Sequence, residues 1–117
     1  MILDSKLNDP KSCVLVAEKD SALIGYVSGS MRLAFYAAGA TAWVDEIFVV
    51  PESRSSGIGG ELMNAFETWA ATNSGVSIAL ATRGAAPFYE KRGYESRAGY
   101  FKKYLPGAAT TAAESKG

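Results

Sequence analysis

Behind the apolar run Ile47-Phe48-Val49 and a proline, Pro51, the chain reads Arg54-Ser55-Ser56-Gly57-Ile58-Gly59-Gly60. A helical pattern of apolar residues starts inside this stretch, at Ile58. The first turn of a helix has N–H groups without intrahelical acceptors and carries the positive end of the helix dipole. Glycines have no Cβ, so a phosphate can approach the backbone of such a turn closely. Arg54 adds a charge-assisted contact to the same anion. The chemistry open to these residues is to hold a diphosphate-bearing cofactor. Two familiar versions do not fit. The ATP loop needs a lysine after its last glycine, and none follows here. The dinucleotide fingerprint needs a further glycine where Leu62 stands. On the loop alone, a plain glycine-rich turn with a helix cap explains the same residues, so the rest of the chain decides.

The elements that must position this loop follow from hydrophobic periodicity. "CVLVAEKDSALIGYVSGSM", from Cys13, gives two β-rich runs separated by the hairpin signal "KDSA". "TAWVDEIFVV" is a third strand, rich in β-branched and aromatic residues. Pro51 ends its pairing, because proline has no N–H to give. Ile58, Leu62, Ala65, Phe66 and Trp69 then share one face at helical spacing, and Asn73-Ser74-Gly75 stops that helix. Trp69 reads as a core residue. "VSIALA" suits a buried strand. "GAAPFYEKR" forms a short helix with Pro87 in its first turn and Gly93 at its end. "GYFKKYL" reads as a last strand. Met1–Ser12 reads as a polar lead-in, and residues 106–117 as a mobile tail lacking a core pattern. The order β-β-β-α-β-α-β makes a mixed α/β domain over residues 1–105, with helices packed on a twisted sheet.

Composition narrows the chemistry. At 117 residues, 48% of them hydrophobic, the chain is one small domain with enough apolar surface for its own core. Twelve basic and twelve acidic residues cancel. That balance gives no electrostatic reason to expect a nucleic acid or an anionic membrane as partner. The absence of histidine removes Ser-His-Asp and Cys-His catalysis and the common zinc sites. Cys13, the one cysteine, reads as a buried strand residue, and no metal is expected. No apolar run spans a bilayer and no signal pattern opens the chain, so the expected location is the cytoplasm.

The segment Val44–Met63 resembles motif A of the GCN5-related N-acetyltransferases, the GNAT family. That pattern is an apolar strand, a proline, then Arg/Gln-x-x-Gly-x-Gly/Ala at a helix start. Here it stands as Ile47-x-Val49-x-Pro51, then Arg54-x-x-Gly57-x-Gly59. "AAPFYEKRGYE", Ala85–Glu95, is similar to the family's motif B. "VLVAEKDSALIGYVSG" resembles its second and third strands, so the likeness covers roughly 11–105. The implied fold is a GNAT-like acyl-CoA N-acyltransferase, an α/β (α+β) domain with a mixed, mostly antiparallel sheet and flanking helices. The usual first strand and first two helices are missing from the expected pattern, because only about a dozen residues precede "CVLVAE".

The resemblance implies acetyl-CoA as co-substrate and transfer of its acetyl group to a small or peptide amine by direct attack. The backbone of Ile47, Phe48 and Val49 would pair with the pantetheine arm like an added strand. The amides of Ser55, Ser56, Gly57, Ile58, Gly59 and Gly60 would hold the pyrophosphate, with Arg54 beside them. Thr82, Phe88 and Tyr89 would line the cofactor. Thr82 replaces a frequent asparagine, and Ser55-Ser56 a frequent Gly-Lys. Tyr89 would protonate the leaving thiolate, since a phenol with a pKa of about 10 keeps its proton at neutral pH. A free amide near Val49 would steady the oxyanion. Asp45 and Glu46 are the candidates to deprotonate the amine. An ideal strand points them to opposite faces and puts Asp45 on the side of Ile47 and Val49, unless a bulge intervenes. Trp43, Phe35 and Tyr36 would line the acceptor pocket. A shortened domain leaves apolar surface uncovered, so a homodimer is expected. The alternative reading is a non-catalytic CoA-binding or interaction module of the same fold.

Overall fold

The computed structural model describes residues 1–4, 9–33, 39–97, 99 and 101–107. The chain divides into two compact units, Met1–Leu80 and Ala81–Gly117. The first holds a five-stranded sheet in sequential order: β1 (Ile2–Asp4), β2 (Ser12–Lys19), β3 (Ala22–Leu33), β4 (Ala40–Val49) and β5 (Gly75–Ala79). The first four strands are antiparallel and β5 runs parallel to β4. Helix α1 (Ile58–Thr72) makes the crossover between the two parallel strands, after a short 3-10 turn at Pro51–Ser53. Helix α2 (Ala86–Lys91) belongs to the second unit.

Local chemistry accounts for the turns. Lys19 pairs with Ala22 across the two residues Asp20 and Ser21, whose φ values are 53° and 64°. Both are left-handed, which is the backbone a two-residue hairpin needs to match strand twist. Asn73 closes α1, its N–H bonding back to Trp69 and Ala70. Pro87 stands in the first turn of α2, and Gly93, at φ +91°, follows its last turn.

The core lies between α1 and one face of the sheet. Cys13, Leu15 and Ala17 of β2 stand in register with Gly29, Val27 and Gly25 of β3. Those three in turn oppose Val44, Ile47 and Val49 of β4. Leu62, Met63 and Phe66 of α1 are fully buried against this face. Burying side chains of this size contributes about 1.5–3 kcal/mol each. An added Cβ on Gly25 would lie 3.3 Å from Leu62, and one on Gly29 would lie 2.6 Å from the Phe66 ring. The two glycines are what let the helix sit this close.

Several expectations change. The polar lead-in is a strand, β1, whose Leu3 pairs with Val16 at the sheet edge. The run from Val76 is not a buried strand: β5 closes the other edge, and Val76 is 59% exposed. Trp69 is half-buried, its ring 5.4 Å from Phe66. "GYFKKYL" forms no strand among its described residues, and Phe101 is 94% exposed. Its alternation is weak, with two adjacent lysines in the middle, and among the described residues no ladder partner offsets the entropy of ordering it. Residues 108–117 of the expected tail lie outside the described residues. No described helix is long and apolar enough to cross a membrane.

Candidate active site

The site begins with a break in pairing. β4 is bonded to β3 along its length, but its pairing with β5 runs only from Ala40 to Trp43, opposite Gly75 to Ala79. From Val44 onward β4 has no partner on its second edge among the described residues. Val50 donates its N–H to Ile24 of β3 at 2.9 Å. Alternation along an antiparallel strand then turns Phe48 toward β3 as well, and turns Ile47 and Val49 to the open edge. Unpaired edge groups of this kind accept an extended chain as an added strand.

The glycine loop lies at the end of this edge. Gly57 takes the N-cap position of α1 at φ +88°, and no side chain caps the helix. A Cβ built there meets nothing within 4 Å. Among the described residues, no protein group accepts from the amides of Ser55 to Gly60. The first intrahelical bond runs from Glu61 to the Gly57 carbonyl. Unsatisfied donors at a helix N-terminus, with open space in front of them, fit the pyrophosphate of a coenzyme A derivative. The Ser56 hydroxyl donates to the Ser53 carbonyl and braces the turn. Arg54 donates its Nε–H to the Val49 carbonyl at 2.8 Å, and its guanidinium lies 5.6 Å from the Phe48 ring centre.

A bulge separates the two candidate carboxylates. Val44 opposes Gly29 and Glu46 opposes Ser28, so Asp45 is the extra residue. The bulge changes the alternation: Ile47 and Val49 take the helix face and Glu46 and Phe48 the other. The pleat relation that favoured Asp45 therefore does not hold. Both carboxylates are exposed. Asp45 lies 3.7 Å from Arg32, whose guanidinium stacks over Trp43 at 4.8 Å. Glu46 accepts a 3.4 Å hydrogen bond from the Tyr26 hydroxyl. Tyr26 and Arg32 escape sequence reasoning, because a half-buried tyrosine or an exposed arginine on a strand has no motif; only the register brings them to these acids.

In the second unit, Tyr89 is buried on α2, its ring packed edge-on against Phe88 at 4.9 Å and Tyr94 at 5.6 Å. Burial raises the Tyr89 phenol above its ordinary pKa, and Arg92 partly opposes the rise. The phenol is thus held as the neutral acid. The Thr82 hydroxyl accepts from the Ala85 N–H at 3.3 Å, which fixes the turn leading into α2. Phe35 and Tyr36 lie outside the described residues. A cavity of about 380 Å³ lined by Pro10, Lys11, Met31, Arg32, Ala40 and Asn73 lies by the first residue of β4 and shares Arg32 with the cluster around Asp45.

Comparison with known proteins agrees with these elements. The model of the acetyltransferase (GNAT) domain matches residues 10–96. An uncharacterized N-acetyltransferase of Bacillus subtilis, YhfO, is 29% identical over 102 residues, covering 84% of this chain and 68% of the relative. A putative acetyl transferase from Pyrococcus furiosus superposes with a TM-score of 0.73 at 31% identity, over 80% of this chain and 66% of that one. Glucosamine-6-phosphate N-acetyltransferase from Arabidopsis thaliana shares the fold at a TM-score of 0.76 and 16% identity, over 82% and 68%. The chain spans about two thirds of the length of these relatives. With most of its described length matched by the domain model, the chain belongs to the GNAT acetyltransferase family.

Proposed function

We propose that the protein is an acetyl-CoA-dependent N-acetyltransferase that acetylates a primary amine by direct attack, with both substrates bound together. The observation that carries this reading is the half-paired β4 strand running into an uncapped glycine helix start. When bound, acetyl-CoA supplies the activated acyl group. Amides from Ser55 to Gly60 grip its pyrophosphate, and the open-edge backbone of Ile47 and Val49 aligns its pantetheine arm. An amide near Val49 stabilises negative charge on the acyl oxygen. Tyr89, kept protonated by burial, gives its proton to the departing sulfur.

For the base we assign Glu46. Its partner is a neutral phenol, whereas Asp45 already faces the Arg32 cation. The Arg32 guanidinium already occupies one oxygen of Asp45, while Glu46 is held only by a single hydroxyl. Glu46→Gln is expected to lower kcat/KM at neutral pH by about 10²-fold, with partial recovery as rising pH deprotonates the amine itself. Asp45→Asn is expected to change it only a few-fold. Equal losses in both variants remove the assignment. Titration with acetyl-CoA tests the reading as a whole: it requires a rise in Tm and amide shifts confined to residues 47–60, followed by thiol release on adding amines.

The same proposal includes a cytoplasmic homodimer. Its support is the apolar surface left open by Leu3 and Phe48, 39% and 42% exposed on the face away from α1. Light scattering that gives a monomer mass at high concentration excludes it.

A further inference from the structure

On the face away from α1, the register gathers Arg32, Trp43, Asp45, Glu46 and Tyr26 around the β4 bulge. Two acids there suit an ammonium group. Arg32 needs a different explanation. Its ion pair with Asp45 is long, at 3.7 Å, and the two side chains remain 56% and 50% exposed. A pair so open to water contributes little to folding. Trp43 nevertheless lies beneath the guanidinium, its ring centre 4.8 Å from Cζ. The Arg32 side chain remains 56% exposed, so its planar fork of N–H donors is within reach of solvent, and such a fork is the form in which arginine recognises carboxylate and phosphate.

We propose that the acceptor is an amine that also carries an anionic group, and that Arg32 recognises that group. This rests on the acetyl-transfer reading above. The ammonium approaches Glu46 and Asp45, and the anion takes the place of Asp45 on Arg32. Charge complementarity is then met at both ends: two carboxylates for a cation, one guanidinium for an anion. A polycationic acceptor would meet Arg32 as a repulsive neighbour, so the cluster discriminates against it.

Matched pairs of amines test this: an α-amino acid against its decarboxylated amine, and an aminoalkyl phosphate against the amino alcohol. Rates come from thiol release. Binding comes from Trp43 fluorescence in a Trp69→Phe background with coenzyme A present, because the indole under Arg32 senses its engagement. The anionic member of at least one pair is expected to show a KM lower by about tenfold or more. Which pair responds separates carboxylate from phosphate. Arg32→Gln is expected to collapse the within-pair ratio and Arg32→Lys to keep part of it; a merely structural arginine would shift both members alike. Equal KM values within both pairs, or a ratio that survives Arg32→Gln, overturn the proposal. If acetyl-CoA binds and no anionic amine perturbs Trp43, this inference alone fails. If acetyl-CoA does not bind, both readings fall.

Discussion

The Nε of Arg54 donates to the main-chain carbonyl of Val49 at 2.8 Å, so the glycine loop is tied back to the strand that leads into it. The guanidinium also covers the Phe48 ring. The side chain expected to touch a phosphate thus also sets the angle at which the loop leaves β4. Arg54→Gln and Arg54→Lys are both expected to raise the KM for acetyl-CoA about five- to tenfold with kcat little changed. Lysine does not rescue, because it lacks the fork that bonds a carbonyl while lying flat on a ring. Steady-state kinetics with varied acetyl-CoA check this, and full rescue by lysine would reduce Arg54 to a simple charge.

Two glycines should behave oppositely. A Cβ on Gly29 would collide with the Trp43 carbonyl and lie 2.6 Å from Phe66, at the bulge itself. Gly29→Ala is expected to cost about 2–3 kcal/mol in urea unfolding. A Cβ on Gly57 meets nothing, but φ is +88°. Gly57→Ala is expected to cost only about 1 kcal/mol and to weaken coenzyme A binding more than it weakens the fold. Calorimetry beside denaturation separates the two effects.

Tyr89→Phe keeps the ring contacts with Phe88 and Tyr94 and removes the proton. An unchanged Tm and a fall in kcat of about 10²-fold are expected. Because burial raises the phenol pKa, the acid form persists beyond the ordinary phenol range near pH 10. Wild-type kcat should therefore hold through pH 9 and fall only above about 10. The variant should lack that alkaline limb, and a limb that survives in it would assign the proton elsewhere.

Cys13 offers a test of the core that is independent of catalysis. Burial, with a smaller contribution from Asp4, pushes its thiol from 9.0 up to about 11. Below pH 9 the folded and unfolded chains both carry the proton. Between pH 9 and 11 the unfolded chain releases it and the folded chain does not. Stability should fall across that window, by at most about 1.4 kcal/mol per pH unit. Urea titrations of wild type and Cys13→Ala isolate this slope, which the variant should lack. A disulfide reagent at pH 8 should react slowly until denaturant is added.

What could be read from the sequence was local. The hairpin at Asp20-Ser21, the helix from Ile58 to Thr72 and the stop at Asn73 depend on neighbours within a few positions. The glycine turn was legible for the same reason. The bulge at Asp45 was not, because it is a property of the pairing with Ser28 and Gly29 in another strand. With it went the face on which each acid lies, and the partners Arg32 and Tyr26. The ends misled for a related reason. Ile2–Asp4 is too short to show a period and becomes a strand only through Ala17, Val16 and Leu15 opposite. "GYFKKYL" has strand-forming residues, but its described residues join no ladder of the sheet.

The unmatched half of β4 also bears on how the free protein must be handled. A strand interior to the sheet by order, but without a strand partner along one margin from Val44 to Phe48 among the described residues, keeps those peptide groups wet until something lies beside them. Such a seam invites the wrong guest, and another molecule's extended segment would satisfy it as readily as a small ligand. Storage without ligand therefore favours slow self-association through this margin, and adding a compound that fills it should lengthen the shelf life of the preparation before it alters any rate.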